Sequence, residues 1–179
     1  MGATTTKLMT FAEFEKLPDE VCRRHELRHG ELVEVPPPKF DHRVIQDHLV
    51  ELLKPIAEGG YVGVEFGFRA LPEGEYRTAD VVYVSAERYA AAKGSSYFQG
   101  APEMVIEILS PSNTKAEMRE RAALCLANGC LEFWVLDGGK RQVTVSTPDG
   151  VTVTYHSGQM IPLRLFGDAS LPVNRIFEE

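Results

Sequence analysis

Positive charge is in short supply: nineteen lysines and arginines face 26 aspartates and glutamates, for a formal net charge of −7. Affinity for a nucleic-acid backbone comes largely from Lys and Arg, so this balance excludes a protein that coats DNA or RNA indiscriminately. It leaves room for a local basic patch, or for positive charge supplied by a bound metal. Cysteine is scarce as well. Cys22, Cys125 and Cys130 are odd in number and show no CxxC spacing, which argues against a disulfide framework and against a thiolate zinc site, and fits free thiols in a reducing compartment. No apolar segment approaches the roughly 20 residues that a bilayer-spanning helix needs, and residues 1–10 lack a basic stretch followed by an apolar block. The expectation is no membrane partner and a cytoplasmic location. Repeats, low-complexity tracts and linkers are also missing. At 44% hydrophobic and 25% charged content, 179 residues suit one domain, residues 1–179, with a substantial core.

What is present starts with a misplaced charge. The run Pro102-Glu103-Met104-Val105-Ile106-Glu107-Ile108-Leu109-Ser110-Pro111-Ser112 reads as a strand covered on both faces, yet Glu107 stands in its middle. An ionised side chain is almost never fully buried alone. Unpaired, it costs several kcal/mol or takes up a proton, so a metal ion, a basic side chain or a proton must accompany it.

The surrounding pattern predicts an α/β (α+β) fold. Thr10 caps a short helix over residues 11–17, ended by Pro18. A hairpin follows, 25–28 and 31–35, turning through His29-Gly30. Pro36-Pro37-Pro38 stops the sheet and feeds a helix over about 41–58, whose Ile45, Leu49, Leu52, Leu53 and Ile56 recur at helical spacing. Residues 61–69 and 80–84 read as adjacent antiparallel strands and 86–92 as a short helix. Asn113 or Thr114 caps a second long helix running to about 127, stopped at Asn128-Gly129. A buried strand over 131–137 and a closing hairpin, 142–146 with 151–156, complete the reading.

Asp80 opens Val81-Val82-Tyr83-Val84 and Glu107 interrupts the next long apolar strand. Two carboxylates on neighbouring strands of one sheet can face the same side and hold a divalent ion through oxygen ligands at about 2.0–2.6 Å. Mg²⁺ or Mn²⁺ is the expected cofactor, because hard ions prefer carboxylate, carbonyl and water ligands. Such an ion meets the needs of phosphodiester hydrolysis: a polarised phosphorus and a more acidic water. The competing explanations are a turn-capping role for Asp80 and a structural ion pair with an arginine for Glu107.

The segments His25-Glu26-Leu27-Arg28-His29-Gly30-Glu31-Leu32-Val33-Glu34-Val35-Pro36-Pro37-Pro38, His42, Arg77-Thr78-Ala79-Asp80-Val81-Val82, the Glu107 strand and Glu132-Phe133-Trp134-Val135-Leu136-Asp137, taken in order, resemble the Uma-two proteins. These are restriction-endonuclease-like proteins of the PD-(D/E)xK nuclease superfamily. The resemblance runs from about residue 10 to 137 and more loosely beyond. It implies a four-stranded mixed sheet flanked by helices, with Asp80 and Glu107 as motif acids and the main-chain carbonyl of Ile108 as a further metal ligand. It also implies that Glu31 approaches the same metal; the competing explanation is a solvated hairpin glutamate.

Two departures stand out. The proline that precedes the motif aspartate in the family is Ala79 here, and the superfamily lysine two residues after the glutamate is Leu109. Uma-two proteins generally place a basic residue on the following helix instead. This chain offers Arg121 at the matching position and Lys115 one to two turns earlier. Arg121 lies three residues after Met118 and four before Cys125, so it borders the apolar stripe and can reach back over the sheet. Its guanidinium stays protonated, so it can stabilise charge or keep Glu107 ionised but cannot act as a base. Glu117, matching an acidic family position on that helix, reads as structural. His42 falls one turn ahead of Ile45 and Leu49 on the core-facing side of its helix; a satisfied helix-start histidine competes with a catalytic one. His25, His29 and His48 lack metal-ligand spacing. Arg23, Arg24, Arg28, Lys39 and Arg43 gather around the hairpin, as phosphate contacts or as a solvated face.

The expected function is metal-dependent hydrolysis of DNA by an endonuclease, with Asp80, Glu107, Arg121, Glu31, Lys115 and His42 as the candidate catalytic residues and a homodimer as the expected assembly. The alternative is a catalytically silent nuclease fold that binds nucleic acid or a protein partner. A hydrolase of small phosphorylated molecules is a third, weaker reading.

Overall fold

Local signals place most elements. The computed structural model describes residues 8–178, so residues 1–7 of the segment read for a leader lie outside the described residues. Helix α1 (Phe11–Phe14) starts at a capping box in which Thr10 and Glu13 satisfy each other's main-chain N–H groups. It is followed by α2 (Asp19–Cys22), which the sequence pattern did not show. The hairpin of β1 (His25–Arg28) and β2 (Glu31–Glu34) turns through His29 and Gly30, at φ 49° and 81°. Two successive positive φ angles are what a two-residue hairpin needs.

Helix α3 (Phe40–Leu53) ends earlier than the pattern implied. Pro55 removes a helical N–H, and the chain passes into a 3-10 turn, Lys54–Ile56, instead of continuing to residue 58. Next come β3 (Tyr61–Arg69), β4 (Arg77–Val84), α4 (Ala86–Ala92), β5 (Phe98–Gln99) and β6 (Met104–Ile108). Of the two candidate caps before α5 (Lys115–Ala127), Thr114 holds the position, in a capping box with Glu117. The chain closes with β7 (Glu132–Asp137), β8 (Gln142–Ser146), β9 (Thr152–His156), β10 (Met160–Pro162), β11 (Ser170–Pro172) and α6 (Val173–Ile176).

The main sheet has seven strands in the order β5-β3-β4-β6-β7-β8-β9. At its centre lies the expected four-stranded mixed unit: β3, β4 and β6 run antiparallel in turn and β7 is parallel to β6. It is extended by parallel β5 on one edge and by antiparallel β8 and β9 on the other. The parallel β6–β7 pair requires a crossover, and α5 supplies it.

Two apolar cores flank the sheet. Leu49 and Leu53 of α3 pack with Val81, Ile106, Trp134 and Leu136 on one face. Cys125 of α5 packs with Val82, Val105 and Phe133 on the other. A third cluster, Phe11, Phe14 and Leu27, seats the N-terminal elements. Paired hydrogen bonds between Leu27 and Tyr76 then fasten the hairpin to the approach to β4, which brings the side chain of Glu26 over the sheet.

Candidate active site

The site lies where β4 and β6 separate. Their pairing covers Val81↔Ile106, Val82↔Val105 and Tyr83↔Met104 and stops there, so Asp80 and Glu107 follow the last pair on adjacent strands. Asp80 Oδ2 accepts a hydrogen bond of 2.7 Å from the Ile108 N–H, a side-chain substitute for the missing ladder bond.

The facing of side chains also changes at this point. Val64 and Val81, cross-strand partners, pack on the α3 side, whereas the next registered partners along the pair, Phe66 and Ala79, pack on the α5 side. Strict alternation would keep both pairs on one face. The change occurs at Glu65, whose φ of 50° lies in the left-handed region. Such a backbone is costly for a residue with a Cβ and is concentrated at functional sites. Asp80, opposite Glu65, is thereby set at the changeover, within reach of groups from both faces.

From the α5 face comes Arg121. Its Nη1 donates to Glu107 Oε1 at 2.7 Å and to the Thr78 carbonyl at 3.0 Å, while Nη2 donates to both oxygens of Glu26 at 2.6 and 2.5 Å. Glu26 in addition accepts from the Thr78 N–H at 2.8 Å and from Arg28 Nε at 2.7 Å. All three principal members are buried: Glu26 is 1% exposed, Arg121 5% and Glu107 7%. One arginine is therefore shared by two acids, and its pull on each is unequal. Glu26 is desolvated, which raises its pKa, but Arg121, Arg28 and the Thr78 N–H outweigh this and hold the carboxyl below its usual range. Glu107 behaves oppositely. Burial pushes its carboxyl up to about 8, Arg121 opposes the rise, and the negative charges of Asp80 and Glu26 add to it. Burial opposes the charge of Arg121 as well, but the two glutamates hold its pKa above the ordinary value.

From the α3 face come His42 and Gln46. His42 Nε2 lies 3.0 Å from Asp80 Oδ1, off hydrogen-bonding direction. Burial lowers the imidazole's pKa, yet Asp80 and then Glu65 outweigh it and the net shift is upward. Gln46 is fully buried and donates from Nε2 to Glu65 Oε1 at 2.5 Å and to the Asp80 carbonyl at 3.1 Å, leaving its buried Oε1 without a partner among the described residues.

Of the residues singled out from sequence, Asp80, Glu107, Ile108, Arg121 and His42 are thus brought together. Glu31 is not among them: it sits exposed at the start of β2, paired in register with Arg28. Lys115 is exposed at the first position of α5. Glu117 caps α5 and stands 3.8 Å from Arg28. Three further participants, Glu26, Gln46 and Glu65, escaped sequence reasoning. The sign that pointed toward Glu26 was its place in the motif His25-Glu26-Leu27-Arg28; for Gln46 and Glu65, an amide within a helix and a glutamate in a β-rich run, no local signal exists.

A mixed sheet that opens at an acidic pair, with a crossover helix bringing a cation to it, is a restriction-endonuclease-like arrangement. The chain belongs to the Uma2 family, whose model, described as "Putative restriction endonuclease", matches residues 11–174. Its fold is shared with a crystal structure of "a putative nuclease belonging to DUF820" from Anabaena variabilis ATCC 29413, at a TM-score of 0.80 and 21% identity over 94% of this chain and 97% of that one. Curated proteins give no significant match.

Proposed function

We propose that the protein is a divalent-metal-dependent endonuclease hydrolysing phosphodiester bonds in DNA, a single domain with Mg²⁺ or Mn²⁺ held by Asp80, Glu107 and the main-chain carbonyl of Ile108. One observation carries the reading: Glu107 is buried beside Asp80 with its carboxyl pushed up to about 8. A carboxyl in that state has a deficit of positive charge, which a divalent ion can supply in place of the proton. The donor set fits a hard ion. Glu107 Oε2 accepts no hydrogen bond from the described residues, and Arg121 occupies only Oε1. No group of three or more His, Cys, Asp and Glu side chains suited to a metal occurs among the described residues. Two carboxylates and a main-chain carbonyl would suit Mg²⁺, which binds through one or two carboxylates and retains water and substrate oxygens.

Bound there, the ion would polarise a phosphoryl oxygen and lower the pKa of a water. The chain's own residues orient and compensate. The Ile108 N–H fixes Asp80 through Oδ2. Arg121, anchored by Glu26, holds Glu107 in place and contributes positive charge without transferring a proton. His42, charged more readily than an ordinary imidazole, competes with a metal for Asp80. Glu31 and Lys115 have no part in this reading. A homodimer would let two such sites cut both strands of a duplex, by analogy of fold.

The observation favouring the rival reading, a silent binding fold, is the same Arg121–Glu107 hydrogen bond, which gives the acid a partner without any metal. Incubation of supercoiled and linear DNA with the purified protein and Mg²⁺ or Mn²⁺ decides between them. Metal-dependent nicking that is lost in Asp80→Ala supports the nuclease; cleavage unchanged in that variant contradicts it, and absence of cleavage with either ion favours the silent fold.

A further inference from the structure

Beyond the acidic pair, on the outer side of β3, lies an open cleft of about 440 Å³ bounded by β3, α4 and the loop leading to β5. Its wall is aromatic and continuous. Tyr89 stacks on Tyr61 with ring centroids 4.5 Å apart and planes within 3°, Tyr61 meets Phe66 at 5.6 Å, and Phe66 meets Phe98 at 5.3 Å. Across the cleft, Tyr76 and Tyr97 stand edge to face at 5.8 Å. Two glycines of β3 make this possible. A Cβ at Gly63 would collide with the Tyr61 ring, and one at Gly67 with the Tyr76 ring, so both rings lie against bare backbone.

The cleft is linked to the acidic pair through β3. Glu65 lines it and is joined through Gln46 to the Asp80 carbonyl. Phe66 lines it too, and its cross-strand partner Ala79 precedes Asp80 on the α5 face, the face Glu107 turns toward Arg121. The remaining rim is polar: Lys93, Ser95 and Ser96. A ligand suited to these walls is flat, uncharged and edged with hydrogen-bonding groups, with its negative charge outside, near Lys93. An unpaired nucleobase has this chemistry, and aromatic platforms bind successive bases of single strands largely without sequence preference. A base held in a duplex stack cannot enter.

We propose that this cleft is a nucleobase-binding subsite, so that the substrate is single-stranded or locally unpaired nucleic acid, with one base stacked on the Tyr61–Tyr89 wall. The proposal deepens the nuclease reading and rests on it for the word substrate. Its test separates the two. Binding of a fluorescein-labelled 12-residue oligothymidylate and of a 12-base-pair duplex is measured by anisotropy in EDTA, where no cleavage occurs, for wild type, Tyr89→Ala, Tyr89→Phe and Asp80→Asn. The proposal predicts that the single strand binds at least tenfold more tightly than the duplex, that Tyr89→Ala weakens this about tenfold, and that Tyr89→Phe, which keeps the ring, restores it. In EDTA, Asp80→Asn leaves single-strand binding within about twofold of wild type, and in a separate incubation with Mn²⁺ it removes cleavage. A single strand bound no better than duplex, or equally by Tyr89→Ala, overturns the subsite even if metal-dependent cleavage persists; the rings then serve to shield the glycines of β3. Single-strand binding that depends on Tyr89 in a protein that shows no cleavage with either Mg²⁺ or Mn²⁺ supports the subsite and moves it to the silent-fold reading.

Discussion

Glu26 and Arg121, ninety-five residues apart in sequence, form a buried contact in which one guanidinium nitrogen, Nη2, donates to both carboxylate oxygens at 2.6 and 2.5 Å. Through it the N-terminal hairpin decides how much of the arginine's charge is left for Glu107. Removing the acid leaves a buried guanidinium whose remaining acidic partner, Glu107, carries a proton below about pH 8. Glu26→Ala is therefore expected to cost about 3–5 kcal/mol of stability, the range for breaking one side of a buried ion pair, measured by urea denaturation. In the folded fraction Arg121 turns wholly to Glu107, and metal affinity falls although Glu26 is not assigned as a ligand.

Glu107 makes the stability of the metal-free protein depend on pH in a definite direction. Its folded pKa, about 8, stands above its ordinary value of 4.5, so the folded protein holds this proton more tightly than the unfolded chain. The contribution is fully present below about pH 4.5 and is lost as pH rises toward 8. Glu107→Gln, neutral at every pH and still able to accept from Arg121, removes that decline. Thermal melts at pH 5 and pH 9 should show the variant gaining on wild type at the higher pH. An equal difference at both pH values would contradict the buried, raised carboxyl.

On the proposed function, the same proton governs metal binding. Below pH 8 the ion must displace it, so Mn²⁺ affinity should rise by up to about tenfold per pH unit and level off above that value. His42 acts in the same sense, since its raised pKa extends the range in which a cation already sits beside Asp80. His42→Gln should strengthen Mn²⁺ binding at pH 6 relative to wild type and leave binding at pH 9 within about twofold, as read by calorimetry. Equal weakening at both pH values would show instead that His42 supports Asp80 rather than competing for it.

The central strands and both candidate acids were legible because their signals are local. An acid inside a continuous apolar run declares itself at Glu107, and Arg121 shows by its spacing to Met118 and Cys125 on a well-capped helix. Other features depend on tertiary placement. Glu26 occupies a strand too short for its alternation to be read: both it and Leu27 are buried, one toward Arg121 and the other in the N-terminal cluster. Glu65 acquires its role from a left-handed backbone that a glutamate does not advertise. The three- and four-residue elements β10, β11 and α6 are shorter than any periodicity can reveal, yet Ile161, Leu171, Val173 and Ile176 complete the α3-side core. The helix limit at residue 53 was, by contrast, readable at Pro55.

The proposed function requires Asp80 and Glu107 to hold one divalent ion jointly. Calorimetric titration of wild type, Asp80→Asn and Glu107→Gln with Mn²⁺ at pH 8.5 tests it most directly. Asparagine keeps an oxygen to accept the Ile108 N–H, and glutamine keeps one for Arg121, so both folds should persist. The prediction is one site per chain in wild type and at least a hundredfold loss of affinity in each variant. Mn²⁺ binding that survives either substitution, or a wild type that binds none, would contradict it.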